Sequence, residues 1–550
     1  MADKLGSSAA PGASAPAVPT PHATPQAPPA VGPAPAFGPA PAGSSAAAAA
    51  AAAPAAPASP VTPAGGTPVV APLSAAPERR VHDRRRQIFV NRNLKMENIE
   101  AVGFDMDYTL ALYNQPELED LSNACTLAKM VQDRGYPDEV ASVHVDPSFA
   151  VRGLVIDKEH GHLLKMDRHY HVGRCYHGYR ELTREERHAL YAHAKVNLSS
   201  PRFVWIDTLF ALPDAALYGA LVDFFERRGQ PCDYAKLFTD IRESIDEAHR
   251  DGSIKDVISR DPMRYVVKDV DLAETLHKFR SSGKRLFVLT NSEPHYTELV
   301  MRHLLGGSLA EYPSWRHFFD AIVVNSRKPD FFTGTTPFHD VVDAEGNLSA
   351  EASAGDGFER GKLYSGGNIA DFERRFGFAG DSILYVGDHI YGDMLKANKG
   401  AAWRTAMILQ EMERELDRWD ATLPERQRIM ELEERRQILD YDSQHETGRL
   451  ALAKRRGATE AAVKAMRLRV DALRREQKRV IAEIEEARDQ QARRYNPYWG
   501  SIFRVDNEKS AFGAQVERYA ALYTGRVSNF LYYSPVNYFV SPPEMMPHER

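Results

Sequence analysis

The 550-residue chain reads as an α/β protein built on a parallel sheet, for three reasons. Four short apolar runs, Ile99 to Phe104, Leu286 to Leu289, Phe318 to Asn325 and Ile383 to Gly387, have the length and continuity of buried strands. Helical patterns lie between them, which is the alternation of a sheet with right-handed crossovers. Each run also ends in residues that carry chemistry. They are Asp105, Asp107 and Thr109; then Thr290, Asn291 and Ser292; then Ser326, Arg327 and Lys328; then Asp388 and Asp393. In open parallel sheets, ligands sit beyond the carboxyl ends of the strands.

The composition bounds the rest. With 43% hydrophobic and 26% charged residues the chain is ordinary for a soluble protein, and its length leaves room for more than one domain. A net charge of −6 gives no basic footprint, so a nucleic-acid partner is not expected. Cys125, Cys175 and Cys232 are too few and too widely spaced for a disulfide framework, which fits a reducing compartment. The start lacks the apolar stretch of a secretory signal, and no apolar run is long enough to span a bilayer. A cytoplasmic protein with no membrane partner is the expectation.

Residues 1–86 are dominated by Ala, Pro, Gly and Ser and cannot bury enough surface to offset their ordering entropy, so a disordered tail is expected. Arg84, Arg85 and Arg86 read better as a solvated domain edge than as a phosphate or RNA contact. The first strand then leads into Asp105 and Asp107. Two like charges at the mouth of an apolar strand are costly unless compensated, and a divalent cation is the usual compensation. A solvated Asp-x-Asp turn fits those residues equally well. The later strand ends decide for a catalytic site, because four such endings at one edge of a sheet are far less probable by chance than one.

Residues 114–282 form a second layer inserted after the first strand, with helical patterns at Leu121 to Arg134 and Ala215 to Arg228. His160, His162, His169, His171, Cys175 and His177 are good metal-ligand types, but their spacing matches no compact zinc pattern. The alternation from Leu163 to Tyr176 instead predicts a β-hairpin with one polar face. Further on, Ile241, Ile245 and Ala248 form the buried stripe of a helix. Arg242, Asp246 and His249 share a second stripe, and Lys255 follows beyond Gly252. On spacing alone this stripe reads as an exposed face with an Arg–Asp pair.

Residues 87–113 and 283–407 make the core. Pro329 keeps Lys328 out of the helical region, which suits a side chain aimed from a loop. Residues 408–496 are a helical hairpin. Val463, Met466, Val470, Leu473, Val480 and Ile484 follow a heptad seam, with Gln477 in the remaining position. Packing within the chain and an oligomer contact both fit that seam. Residues 497–550 are aromatic-rich and are expected to pack back on the core.

These motifs together resemble the haloacid dehalogenase superfamily. The resemblance narrows through Phe-Val-Asn-Arg at 89–92, Gly-Phe-Asp-Met-Asp-Tyr-Thr-Leu at 103–110, Thr-Asn-Ser at 290–292 and Arg-Lys-Pro-Asp-Phe-Phe at 327–332. Tyr-Ser-Gly-Gly at 364–367, Gly-Asp-His-Ile-Tyr-Gly-Asp at 387–393, Leu-Tyr-Tyr at 531–533 and Met-Pro-His-Glu at 546–549 extend it. Together they resemble the cytosolic purine 5′-nucleotidase family, which prefers IMP and GMP. The resemblance implies a Rossmann-like core with an inserted cap domain. It implies a phosphoaspartate on Asp105, with Asp107 as general acid and then general base. It implies Mg²⁺ held by Asp105, the carbonyl of Asp107 and Asp388, with Asp393 behind them. Thr290, Asn291 and Lys328 would bind phosphate. Phe210, Arg242, Asp246, His249 and Lys255 match positions that line the nucleoside pocket, which turns the cap stripe from an exposed face into a functional one. Tyr391, Lys399, Gln515 and Arg518 match an allosteric nucleotide site. Asp207 and Ala211 depart from the asparagines of the animal members. Phosphotransfer to a nucleoside and assembly as a homo-oligomer, dimer or tetramer, are also implied. Two other functions fit the same residues: a phosphatase of another phosphomonoester, and a scaffold with a vestigial site.

Overall fold

The sheet's register follows from residues that are apolar on both faces. In the computed structural model, which describes residues 83–549 apart from 193–195, 344–345 and 354, Ala101–Phe104 is buried at every position. Arg285–Leu289 lies parallel on one side of it and Ile383–Gly387 parallel on the other. Gly103 is required there, because a Cβ at that position would lie 2.0 Å from the Phe287 ring of the neighbouring strand. Outward from Arg285–Leu289 come Ala321–Val324, Tyr364–Gly366 and Phe338–Asp340. Outward from Ile383–Gly387 come Arg404–Ile408, Leu522–Thr524 and Phe89–Val90. Only the two outermost pairs of this nine-stranded sheet are antiparallel. The chain fills one side from Ala101–Phe104 first and the other side afterwards. The reversal of strand order therefore falls at the aspartate-bearing strand, where open α/β sheets place their ligands.

One segment differs from expectation. Leu522–Thr524 is a strand of the central sheet, parallel to Arg404–Ile408, so the C-terminal stretch completes the core as well as covering it. Three residues of an aromatic-rich stretch are too few to show a strand period.

The insertion contains a five-stranded antiparallel sheet in the order Arg180–Glu181, Val172–His177, His162–Met166, Leu154–Asp157, Phe203–Ile206. The expected hairpin is present, with Leu163 opposite Tyr176 and Leu164 opposite Cys175. Its expected polar face is not. His162–Met166 is buried throughout, because it is an interior strand covered on both faces. Lys165 accordingly buries its ammonium against the carbonyls of Trp499 and Ser501. The histidines are engaged by other side chains: His160 with Asp157, His162 with the Tyr191 hydroxyl that in turn donates to Asp157, His177 with Glu226, and His171 with Asp167. Helices Gln115–Arg134, Leu212–Arg227 and Tyr234–Arg250 complete the insertion. The last buries Leu237, Phe238, Ile241, Ile245 and Ala248 along one side, as the spacing predicts.

Helices Leu423–Arg455 and Glu460–Tyr495 form the hairpin. Ion pairs Arg428–Glu483, Arg435–Glu476 and Arg469–Glu446 run antiparallel along it. The heptad seam closes on the chain's own partner helix, where Leu432, Val480 and Ile484 form one cluster. Gln477 fills its seam position by donating to Asp440. The tail lies outside the described residues up to position 82. Arg84, Arg85 and Arg86 pair with Asp420, Asp417 and Asp271, which accounts for them as a domain edge. Among the described residues, no helix is long and apolar enough to cross a membrane.

Candidate active site

Parallel strands deliver their carboxyl ends to one edge, and that edge collects the charged residues. Asp105 follows Phe104 directly, and its N–H donates to the Val386 carbonyl. Lys328 arrives from the loop after Ala321–Val324 and is buried. Its ammonium lies 2.9 Å from Asp105 Oδ1, 2.8 Å from Asp393 Oδ1 and 2.8 Å from the Tyr385 hydroxyl. Three donors thus meet three acceptors. Against burial, which lowers it, Asp105 and Asp393 hold Lys328 well above the usual lysine range.

The negative charge still exceeds the positive. Oxygens of Asp105, Asp388 and Asp393 lie within 4.8 Å of one another, all three buried. Burial, only partly opposed by Lys328, pushes Asp105 up. Burial and then Asp393 push Asp388 well above the carboxylate range. Asp388 Oδ2 is buried with no hydrogen-bond partner among the described residues. An orphaned carboxylate oxygen facing two further carboxylates suits a hard divalent cation with oxygen ligands, so these residues fit Mg²⁺. Among the described residues this is the one group with metal-ligand spacing.

Asp107 is held differently. The Tyr113 hydroxyl donates to Oδ1 at 2.5 Å and the Ser292 hydroxyl to Oδ2 at 2.5 Å. Burial raises its pKa, while the Ser292 and Tyr113 hydrogen bonds lower it. A carboxyl pulled in both directions is suited to exchanging a proton. Tyr113 and Ser292 escaped notice as partners, because no sequence spacing shows which hydroxyls converge on one carboxylate. Thr290 is fully buried at its strand end, with its oxygen accepting from the Ser292 N–H. Asn291 is engaged by the Lys328 loop at both ends of its amide: Oδ1 accepts from the Lys328 N–H at 2.6 Å, and Nδ2 donates to the Lys328 carbonyl at 3.0 Å.

The stripe on Tyr234–Arg250 faces this edge. Arg242, Asp246, His249, Lys255 and Phe210 line one cavity of about 420 Å³ together with Asp105, Asp107, Thr290, Asn291, Lys328, Asp388 and Asp393. That volume suits a small-molecule ligand. Arg242 pairs with the buried Asp214 at 2.8 Å and with Asp246 at 3.2 Å. Asp214 was not picked out from sequence, since it lies on another helix. Phe210 packs edge-on against Tyr108 and near His249, and the residue stays 39% exposed. Burial lowers the His249 pKa. Lys255 reaches across to Glu293 at 3.0 Å. Against burial, Asp207 at 3.3 Å pushes His389 up to about 9. Tyr391, Lys399, Gln515 and Arg518 do not line this cavity. Lys399 and Arg518 both lie over the Tyr519 ring, and Gln515 keeps a buried amide oxygen without a partner among the described residues.

An Asp-x-Asp at the end of the central parallel strand, with a buried lysine and a carboxylate pair from the neighbouring loops, defines an α/β protein with an acidic site at the switch point of its sheet. The chain belongs to the 5′ nucleotidase family, whose model matches residues 88–550. It is 28% identical over 470 residues to a 5′-nucleotidase domain-containing protein of Dictyostelium discoideum, covering 84% of this chain and 75% of that protein. It is 30% identical over 464 residues to human 5′-nucleotidase domain-containing protein 2, covering 81% and 82%. Among solved structures it is similar to an archaeal β-phosphoglucomutase of Pyrococcus sp. strain ST 04, with a TM-score of 0.26 and 10% identity over 56% of this chain and 87% of that one.

Proposed function

We propose that this protein is a Mg²⁺-dependent 5′-nucleotidase acting on purine nucleoside 5′-monophosphates of the IMP and GMP type. One observation supports the proposal: Asp105 and Asp107 line the same cavity as Phe210, Arg242, Asp246, His249 and Lys255. Asp105 Oδ attacks phosphorus, and the nucleoside 5′ oxygen leaves with a proton from Asp107. Water then attacks the phosphoaspartate, Asp107 takes its proton, and phosphate departs from Asp105. Thr290 donates to a phosphoryl oxygen, and Lys328 supplies fixed positive charge to the phosphoryl group and Asp105. Asp393 fixes Lys328, and Asn291 fixes its loop as well as facing the phosphate. The carboxylates of Asp105 and Asp388, with the Asp107 carbonyl and with Asp393 behind them, would hold the metal. When bound, Mg²⁺ supplies charge that offsets the carboxylates and the transferring phosphoryl group.

The insertion at 114–282 acts as the cap that reads the base. Phe210 stacks on the purine, and Arg242, Asp246, His249 and Lys255 address its polar edge and the nucleoside. Polar groups placed for a 6-oxopurine discriminate against a base lacking that edge. Transfer of the phosphoryl group to a nucleoside instead of water uses the same intermediate. Tyr391, Lys399, Gln515 and Arg518 form a second, regulatory nucleotide site, and the chain assembles as a homo-oligomer. The test is phosphate release over a panel of nucleoside monophosphates. IMP and GMP should lead the panel, and Asp246→Ala should narrow the IMP-over-AMP preference by about tenfold or more. Unchanged selectivity in that variant would mean that the cap stripe does not read the base, leaving a phosphatase of another phosphomonoester.

A further inference from the structure

Metal-binding loops work only if their ligands are held at the right place, and the side chains behind the ligands do the holding. Asp388 is held from outside the core. Arg152 belongs to the insertion, just before the strand Leu154–Asp157, and its side chain is wholly buried. Its guanidinium splits its hydrogen bonds between two partners. Nε and Nη2 grip both oxygens of Glu411, which follows the core strand Arg404–Ile408. Nη1 donates to the main-chain carbonyl of Asp388 at 3.0 Å. The same Nη1 lies 3.9 Å from Asp388 Oδ2, beyond hydrogen-bond reach, so that oxygen keeps its free lone pairs. The Phe512 ring lies under the guanidinium at 5.2 Å.

The charge arrangement matters as much as the geometry. A buried arginine beside a divalent-cation site would repel the cation. Glu411 cancels that charge through a bidentate pair, the geometry that guanidinium and carboxylate share and an ammonium cannot reproduce. What remains is a neutral, rigid donor aimed at the peptide of a metal ligand. We propose that Arg152 and Glu411 are positioning residues that form a charge-neutral clamp on the Asp388 loop, so that the insertion helps set the affinity of the metal site. The clamp rests on the Mg²⁺ reading above.

The experiment is Mg²⁺ binding by titration calorimetry on the full chain without substrate, with the thermal midpoint in chelator as the folding control. Glu411→Gln leaves the arginine charge uncompensated and should weaken Mg²⁺ binding by about tenfold or more. The double variant Arg152→Gln/Glu411→Gln removes both charges and should recover part of that loss. A purely structural pair predicts the opposite order, with the double variant binding no better than the single. Arg152→Lys keeps the charge but loses the fork, and should also weaken binding; it carries the test if Glu411→Gln does not fold. Binding within about twofold of the parent in the folded single variants would overturn the clamp alone. Failure of the parent chain to bind Mg²⁺ would overturn the metal reading and the clamp with it.

Discussion

Among the described residues Asp107 has no ion-pair partner at hydrogen-bond distance; two hydroxyls hold it. A hydrogen bond to a charged group contributes more than one between neutral groups, and here both bonds also aim the carboxyl. Removing either hydroxyl should therefore slow the protonation of the leaving group without loosening substrate. We expect Ser292→Ala and Tyr113→Phe each to lower kcat by roughly tenfold while KM changes little. Steady-state kinetics on IMP reads this directly, and a loss confined to KM would contradict it. Tyr385 plays the corresponding part for Lys328. Its hydroxyl accepts from the ammonium and donates to the Leu289 carbonyl, fixing the lysine between Asp105 and Asp393.

At the scale of elements, the insertion sheet and the hairpin make separable predictions. His162 is buried, and its Nδ1 pairs with the Tyr191 hydroxyl, which in turn donates to Asp157. Burial, then His177, lowers its pKa from 6.5 to about 4. The unfolded chain therefore binds a proton between those values while the folded chain does not. Stability contributed by the neutral ring is present above pH 6.5 and is lost as the pH falls toward 4, by up to about 3 kcal/mol. His162→Asn should flatten that slope in urea unfolding measured across this window. In the hairpin, Val480 is fully buried between Leu432 and Ile484. Val480→Ala should cost about 2 kcal/mol, read as faster hydrogen exchange in the hairpin, with phosphate release unaltered. The hairpin was legible because a seven-residue repeat survives in sequence. The insertion sheet was only half legible: strands buried on both faces, such as His162–Met166, lose the alternation that marks a strand.

The whole molecule joins three carboxylates, a lysine and the polar stripe of helix Tyr234–Arg250, which lie far apart in the chain. The strand-end residues Asp105, Thr290, Lys328 and Asp388 were legible because a parallel sheet converts sequence position, the residue after an apolar run, into spatial position. Arg152, Tyr113, Asp214 and Tyr385 were not, because each acts across a contact between elements that no local pattern encodes. The strand Leu522–Thr524 was missed for a related reason, since it closes the sheet from the far end of the chain. All the proposed catalytic residues fall between 105 and 393, so deleting residues 1–80 should leave phosphate release per molecule unchanged; a loss would give the tail a part in turnover. The central claim is that Asp105 is the nucleophile of a Mg²⁺-dependent nucleotidase. The most direct measurement is phosphate release from IMP with Mg²⁺ or with chelator, for the parent chain and for Asp105→Asn. We predict release by the parent with Mg²⁺, and none above background with chelator or in Asp105→Asn. Undiminished release by Asp105→Asn, or no release by the parent from any nucleoside monophosphate, would contradict it.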